Sequence, residues 1–216
     1  MRRLAPLFVF AGWMVCAARA NAQEPPPPIP RFVVDLHATV PLFPNDVQQL
    51  AASRSPSWSL AELPGRGFGG QVGVHVYLLR WRALTLGVGG EVIVASASST
   101  PADPSSSLVA VEERLVSAAP QLSFNFGTGH GWSYLSGGVG RSVWSLHEVG
   151  QQPSSSDVEP LQTFNYGRGG RWFIKNHLAF SLDVRFYEIQ SGTPVPPLPG
   201  SPRTRLLIIG AGISLK

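Results

Sequence analysis

From Leu178 to Ile189 the chain reads LAFSLDVRFYEI, in which Leu178, Phe180, Leu182, Val184 and Phe186 are apolar and Ala179, Ser181, Asp183, Arg185 and Tyr187 stand between them. A period of two places these sets on opposite faces of a β-strand. The period recurs along the chain. Phe32, Val34, Leu36, Ala38 and Val40 alternate with Val33, Asp35, His37 and Thr39; Phe68, Gly70, Val72, Val74, Val76 and Leu78 alternate with Gly69, Gln71, Gly73, His75 and Tyr77. A third strand sets Leu84, Leu86, Val88, Val92 and Val94 against Thr85, Gly87, Gly89, Glu91, Ile93 and Ala95. A fourth sets Val116, Ala118, Pro120, Leu122, Phe124 and Phe126 against Ser117, Ala119, Gln121, Ser123 and Asn125. Pro120 cannot donate to a ladder, so a bulge is expected there. Gly-rich strands follow at about 132 to 146 and 161 to 174, the opening stretch is the seventh, and 203 to 215 the eighth.

Strands of this length match the roughly 9 to 11 residues that a tilted strand needs to cross hydrocarbon. The connections at about 79 to 83, 127 to 131 and 175 to 177 are short, whereas 41 to 64, 98 to 112, 147 to 160 and 190 to 202 are long and rich in Ser and Pro. Long and short alternate strictly. An up-and-down meander then gathers the long loops at one rim and both termini at the other, the asymmetry of a bacterial outer-membrane barrel. Trp81, Phe126, Trp132 and Trp172 near the short turns, with Phe68, Trp144, Phe164 and Phe186 toward the loops, are expected to form two interfacial girdles. The first long loop contains NDVQQLAASR, where Asn45 or Asp46 offers a cap for a short helix; a loop without one fits equally well.

Residues 1 to 22 read as a secretory signal peptide: MRR is a basic start, Leu4 to Ala18 an apolar core, and Ala20-Asn21-Ala22 a small-residue exit. Removing them takes away Arg2, Arg3 and Arg19 and leaves fourteen bases against thirteen acids, so the basic balance gives no support for a nucleic-acid partner. Cys16 goes with the leader, so no disulfide is expected. Residues 23 to 30, QEPPPPIP, read as an extended spacer. Charged residues are 14% of the chain, against the roughly 25% usual for soluble domains. That scarcity favours lipid, rather than water, outside the strands. The expected architecture is an all-β, eight-stranded antiparallel up-and-down transmembrane β-barrel over residues 31 to 216.

The Gly-rich FNYGRGGRWFIKNH running into LAFSLDVRFYEI, and the final LLIIGAGISLK, resemble the small eight-stranded outer-membrane barrels of the OmpA-like type. The resemblance implies an envelope location, outer-membrane lipid around the strands, and the barrel-insertion machinery as a partner. It also implies a phasing in which Gly138, Gly140, Gly167, Gly169 and Arg171 point inward and Arg168 outward. Such barrels commonly end in an aromatic residue, where this chain has Leu215 and Lys216.

With apolar residues toward lipid, the inward set supplies a lumenal polar network: Asp35, His37, His75, Glu91, Gln121, Arg171, Asp183, Arg185 and Tyr187. A barrel of eight strands is just wide enough for side chains to fill, so paired charges there act as a plug. Adjacency in the meander is expected to bring Arg171 toward Asp183 and Arg185, and closure between strands one and eight to bring Asp35 around to the same lumen. His37 and His75 with Asp35 and Glu91 raise the question of a metal site or a His-carboxylate pair. No ligand spacing or nucleophile motif accompanies them, so no catalytic residue, metal or cofactor is assigned. The expected role is non-enzymatic, structural or surface-interacting through loops 41 to 64, 98 to 112, 147 to 160 and 190 to 202. A narrow porin-like solute channel and a soluble lipocalin-like carrier are the alternatives.

Overall fold

The structure, a computed structural model, describes residues 26–46, 61–101, 108–154, 157–196 and 200–216. The leader read at residues 1 to 22 lies outside these, as does most of the helical turn considered after Asn45. The strands are β1 (Phe32–Leu42), β2 (Ala61–Glu62), β3 (Phe68–Trp81), β4 (Leu84–Ser98), β5 (Val109–Thr128), β6 (Gly131–Glu148), β7 (Leu161–Phe173), β8 (Leu178–Ile189) and β9 (Thr204–Leu215). The two-residue β2 runs parallel to the start of β5, with Ala61 opposite Val109. The other eight strands pair antiparallel with their chain neighbours, and β1 pairs with β9 from Val34↔Leu215 to Leu42↔Leu207. The sheet is thereby a closed eight-stranded antiparallel barrel, which leaves no long strand with a free edge.

The alternating pattern decides which face is outside. Leu36, Val72, Val88, Val92, Leu122, Phe124, Leu182 and Ile209 are each 40–50% exposed, while Asp35, His37, Glu91, Ser123, Asp183 and Arg185 beside them are buried. The apolar set is the exterior. Trp132 and Trp144 depart from the girdles expected of them. On β6 the even-numbered side chains point inward, so both indoles are buried in the barrel.

Two further departures concern backbone. The register on either side of Pro120 is the same, Ala118↔Arg141 before it and Gln121↔Gly138 after it, so no bulge forms; the ladder to β6 is only interrupted. The strands instead approach closely, since a Cβ on Gly138 would lie 2.0 Å from the Pro120 carbonyl oxygen. The irregularity lies between Tyr77 and Leu79, where the β3–β4 register shifts and Leu78 and Leu79 both become exposed. At the loop rim, pairing extends further than the Ser and Pro content suggests. Residues 109 to 112, expected in a loop, are strand, because Val111 pairs with Glu148 and exchanges hydrogen bonds with Ser99.

The proline stretch is more than a spacer. Residues 26–30 lack regular structure, but Ile29 is 2% exposed and packs with Val33, Tyr77 and Trp132. The Gly129 amide donates to Pro27 O over 2.6 Å, and Arg80 donates to Ile29 O. Lys216 completes this rim, its ammonium 3.9 Å from the Phe173 ring centroid and bonded to Gly129 O.

Candidate functional site

Each strand of the barrel contributes its inward residues to one interior. All nine residues of the sequence-derived network are buried there: Asp35 and His37 from β1, His75 from β3, Glu91 from β4, Gln121 from β5, Arg171 from β7, and Asp183, Arg185 and Tyr187 from β8. The structure sorts them into two linked groups rather than one.

In the first group, Arg171 donates through Nε to Asp35 Oδ1 at 2.8 Å and through an Nη to Oδ2 at 2.5 Å. Ser214 from β9 donates to the same carboxylate over 2.5 Å, and His75 Nδ1 lies 3.8 Å from it. Adjacent pairing does set Arg171 beside Asp183, whose register partner is Gly169, but the hydrogen bonds of Arg171 go to Asp35. β8 and β9 separate β7 from β1 around the wall, and the long guanidinium side chain crosses the lumen to the acid on β1.

Arg185 anchors the second group. It reaches Asp183 Oδ1 and Glu91 Oε2, each at 3.2 Å from Nε, and donates to Asn165 Oδ1 at 3.1 Å and Ser136 Oγ at 2.7 Å. Gln71 donates to Glu91 over 2.6 Å, and Tyr187 donates its hydroxyl to the other oxygen of that carboxylate. Asp183 also accepts from the Tyr134 hydroxyl at 2.7 Å. Gln121 donates to Asn165 at 3.2 Å, and His37 Nε2 shares a 2.7 Å hydrogen bond with Ser181 Oγ. The Arg171 guanidinium lies 4.1 Å over the Tyr134 ring, joining the two groups. A Cβ on Gly169 would sit 2.3 Å from the Tyr134 hydroxyl, so glycine there makes room for the ring.

Sequence reasoning missed Gln71, Tyr134, Ser136, Asn165 and Ser214. Gln71 and Asn165 carry the alternation signal, but Tyr134 and Ser136 lie on a strand whose phase glycines obscured.

Both ends of this polar layer are closed by largely apolar clusters, the one toward the long loops also burying Glu113, the register partner of Ala97 and Leu146. Toward the short turns, Ile29, Val33, Tyr77 and Trp132 form one cluster, with Trp132 stacked on Phe173 at 5.2 Å and edge-on to Tyr77 at 5.9 Å. Toward the long loops, a larger cluster includes Ile93, Leu115, Trp144, Leu146, Leu206 and Ile208, and Tyr187 belongs to it by its ring. Each buried carboxylate of this layer has a guanidinium within ion-pair distance, Arg171 at Asp35 and Arg185 shared by Asp183 and Glu91, as the low-dielectric interior demands of unsolvated ions. Among the described residues, no group of three His, Cys, Asp or Glu side chains is placed to hold a metal ion.

A closed meander of eight long strands, apolar outside and ion-paired within, has the fold of the small eight-stranded outer-membrane β-barrels. Neisserial surface protein A is similar in structure at 14% sequence identity and a TM-score of 0.57, over 87% of this chain and 97% of that one. Ail, the attachment invasion locus protein of Yersinia pestis, solved with the heparin analogue sucrose octasulfate, is similar at 11% identity and a TM-score of 0.50, over 85% of this chain and 97% of its own. No family model matches the sequence, and no curated protein matches it.

Proposed function

We propose that this chain is a non-enzymatic barrel of a Gram-negative outer membrane, delivered there with loss of residues 1 to 22, and that it works as a structural or surface-interacting element rather than as a conduit. The observation that carries the reading is the three-layer interior: an ion-paired middle between two apolar seals. A solute path through it requires breaking Arg171–Asp35 or Arg185–Asp183 and displacing Ile29 and Trp132 at one end and Trp144 at the other. The apolar exterior supports lipid as the surrounding medium, since a soluble protein rarely leaves a continuous band of this kind uncovered. Insertion calls on the cell's barrel-insertion machinery, and the long loops at one rim are the surface left for a partner. Two barrels of similar fold carry surface roles in their names, a surface protein and an attachment protein.

Planar-bilayer recording of the purified, folded protein tests the reading. The expected result is no sustained single-channel current at moderate voltage. Steady, large conductance overturns the filled interior and promotes the solute channel. Recovery of the protein from a soluble fraction, without a heat-dependent gel shift, overturns the membrane reading and favours the carrier.

A further inference from the structure

On β7 the outward positions run Phe164, Tyr166, Arg168, Gly170 and Trp172, and Arg168 stands near the strand's middle, between two aromatic levels. It is exposed and has no hydrogen bond or ion pair to any described residue. Other outward charges, such as Arg114, Glu188 and Arg205, lie toward the strand ends, where a tilted barrel meets water, and Arg141, further along β6, donates to Pro160 O. Beside Arg168 the outer wall is hollowed into a groove of about 480 Å³. Its floor is small: Gly170 faces Ser133 across the β6–β7 ladder. Leu135, Leu182, Phe126 and Trp172 wall it. The Trp172 indole lies over Gly170, where a Cβ would meet it at 2.9 Å; Gly170 is buried, and Ser133 is the part of the floor left open.

We infer that this groove is a binding site for one phosphate-bearing phospholipid, its acyl chain laid along Ser133 and Leu135 beside the Trp172 ring and its phosphate drawn to Arg168. The inference rests on the membrane reading and adds a ligand to it. An unpaired guanidinium on an apolar, lipid-facing wall needs an anion, and phosphate matches its planar fork in charge and geometry. The arginine stem lies along apolar wall while its head reaches for the polar group. A second copy of this chain supplies no such partner. Among the described outward positions near this depth there is no carboxylate, and Glu188 is already held by Arg203 and Arg205. A lipid supplies both missing parts, a chain for the groove and an anion for its head.

The test uses the folded protein in detergent, titrated with phosphatidylglycerol or with diacylglycerol of the same chains, and read by native mass spectrometry. Wild type is expected to retain one phosphatidylglycerol and to retain the phosphate-free lipid poorly. Arg168→Gln should weaken retention about tenfold, the loss of one charge-assisted contact. Ser133→Leu, which fills the floor without touching the charge, should weaken it too. Equal retention of the two lipids, or unchanged retention by Arg168→Gln, overturns the site. So does a disulfide-linked dimer formed through Leu135→Cys at this face. The heat-dependent gel shift is recorded for every variant. Its absence in wild type overturns the membrane reading itself, whereas its presence with no selective retention overturns only the lipid site.

Discussion

Arg171 on β7 holds Asp35 on β1 by two hydrogen bonds across the barrel lumen, spanning the two strands that lie between them in the wall. Both side chains are nearly inaccessible, at 2% and 5% exposure. The pair therefore ties non-adjacent strands together in a way that no backbone ladder does. Removing one partner strands the other charge in the interior, and such a loss costs about 3–5 kcal/mol. Asp35→Ala is expected to lower stability by that amount in urea unfolding from lipid vesicles. Replacing both residues, Asp35→Leu with Arg171→Met, should recover most of the loss, because two apolar groups leave no charge unpaired. Additive losses in the double variant would refute the coupling.

Position 88 separates the two faces of the wall. Val88 points outward at 41% exposure, whereas its neighbour Gly87 lies under the Tyr77 ring. Val88→Arg should cost roughly 2–4 kcal/mol if the site lies near the bilayer midplane. Val88→Phe should be tolerated, since lipid imposes no fixed volume on that face. Gly87→Val should fail to fold well, a Cβ there lying 2.8 Å from the Tyr77 ring. Unfolding in vesicles that ranks Val88→Phe below Gly87→Val in stability would mean that the faces are reversed.

The fold was legible because alternation is a strong signal wherever every second residue is apolar, as on β1, β3, β4 and β8. The up-and-down order and its closure then follow from the strict alternation of long and short loops. What escaped was set by three-dimensional reach. Nothing in the spacing of Arg171 tells that its guanidinium crosses to Asp35, since side-chain length and lumen width decide it. Trp132 and Trp144 look interfacial in the sequence because glycines blur the phase of β6, and a one-residue error there turns every side chain around. The apolar cluster toward the long loops did leave a trace: Ile93 and Ala95 fall in the inward set of the third strand, so both faces of that strand end are apolar. Pro120 misled because a missing donor suggests a bulge, while the glycines opposite allow the strands to close ranks instead.

Ile29 closes the short-turn end with Val33, Tyr77 and Trp132, although it belongs to a segment without regular structure. Burying such a side chain is worth about 1.5–3 kcal/mol. Ile29→Asp should lose that and also place a carboxylate among apolar rings, releasing residues 26–30 from the rim. Limited proteolysis is expected to cut the variant there while the barrel itself survives. Because the ion-paired layer lies behind the seal, the same variant should still not conduct. A sustained current from Ile29→Asp would show that the seal, rather than the charges, blocks the lumen.

At the opposite rim two long loops are tied by Glu159, whose carboxylate accepts the Thr193 amide over 2.8 Å and the Thr193 hydroxyl over 2.9 Å. These hydrogen bonds, backbone first, hold its pKa below the usual carboxylate value. The ionised form is thus favoured in the folded loops. The sign follows from linkage: a depressed carboxylate contributes fully above its unfolded pKa and loses that contribution as the pH falls through the folded one. The tie should accordingly be intact at neutral pH and release in acid, below the ordinary glutamate range. Glu159 is partly exposed in a surface loop, so salt and solvent screen it and the effect is local rather than global. Protection of the Thr193 amide from hydrogen exchange, corrected for the intrinsic pH dependence of exchange, is the measurement. It should decline on acidification in wild type and be low at every pH in Glu159→Gln if the charge makes the tie, whereas equal protection in the two proteins at neutral pH would show that the amide oxygen serves as well.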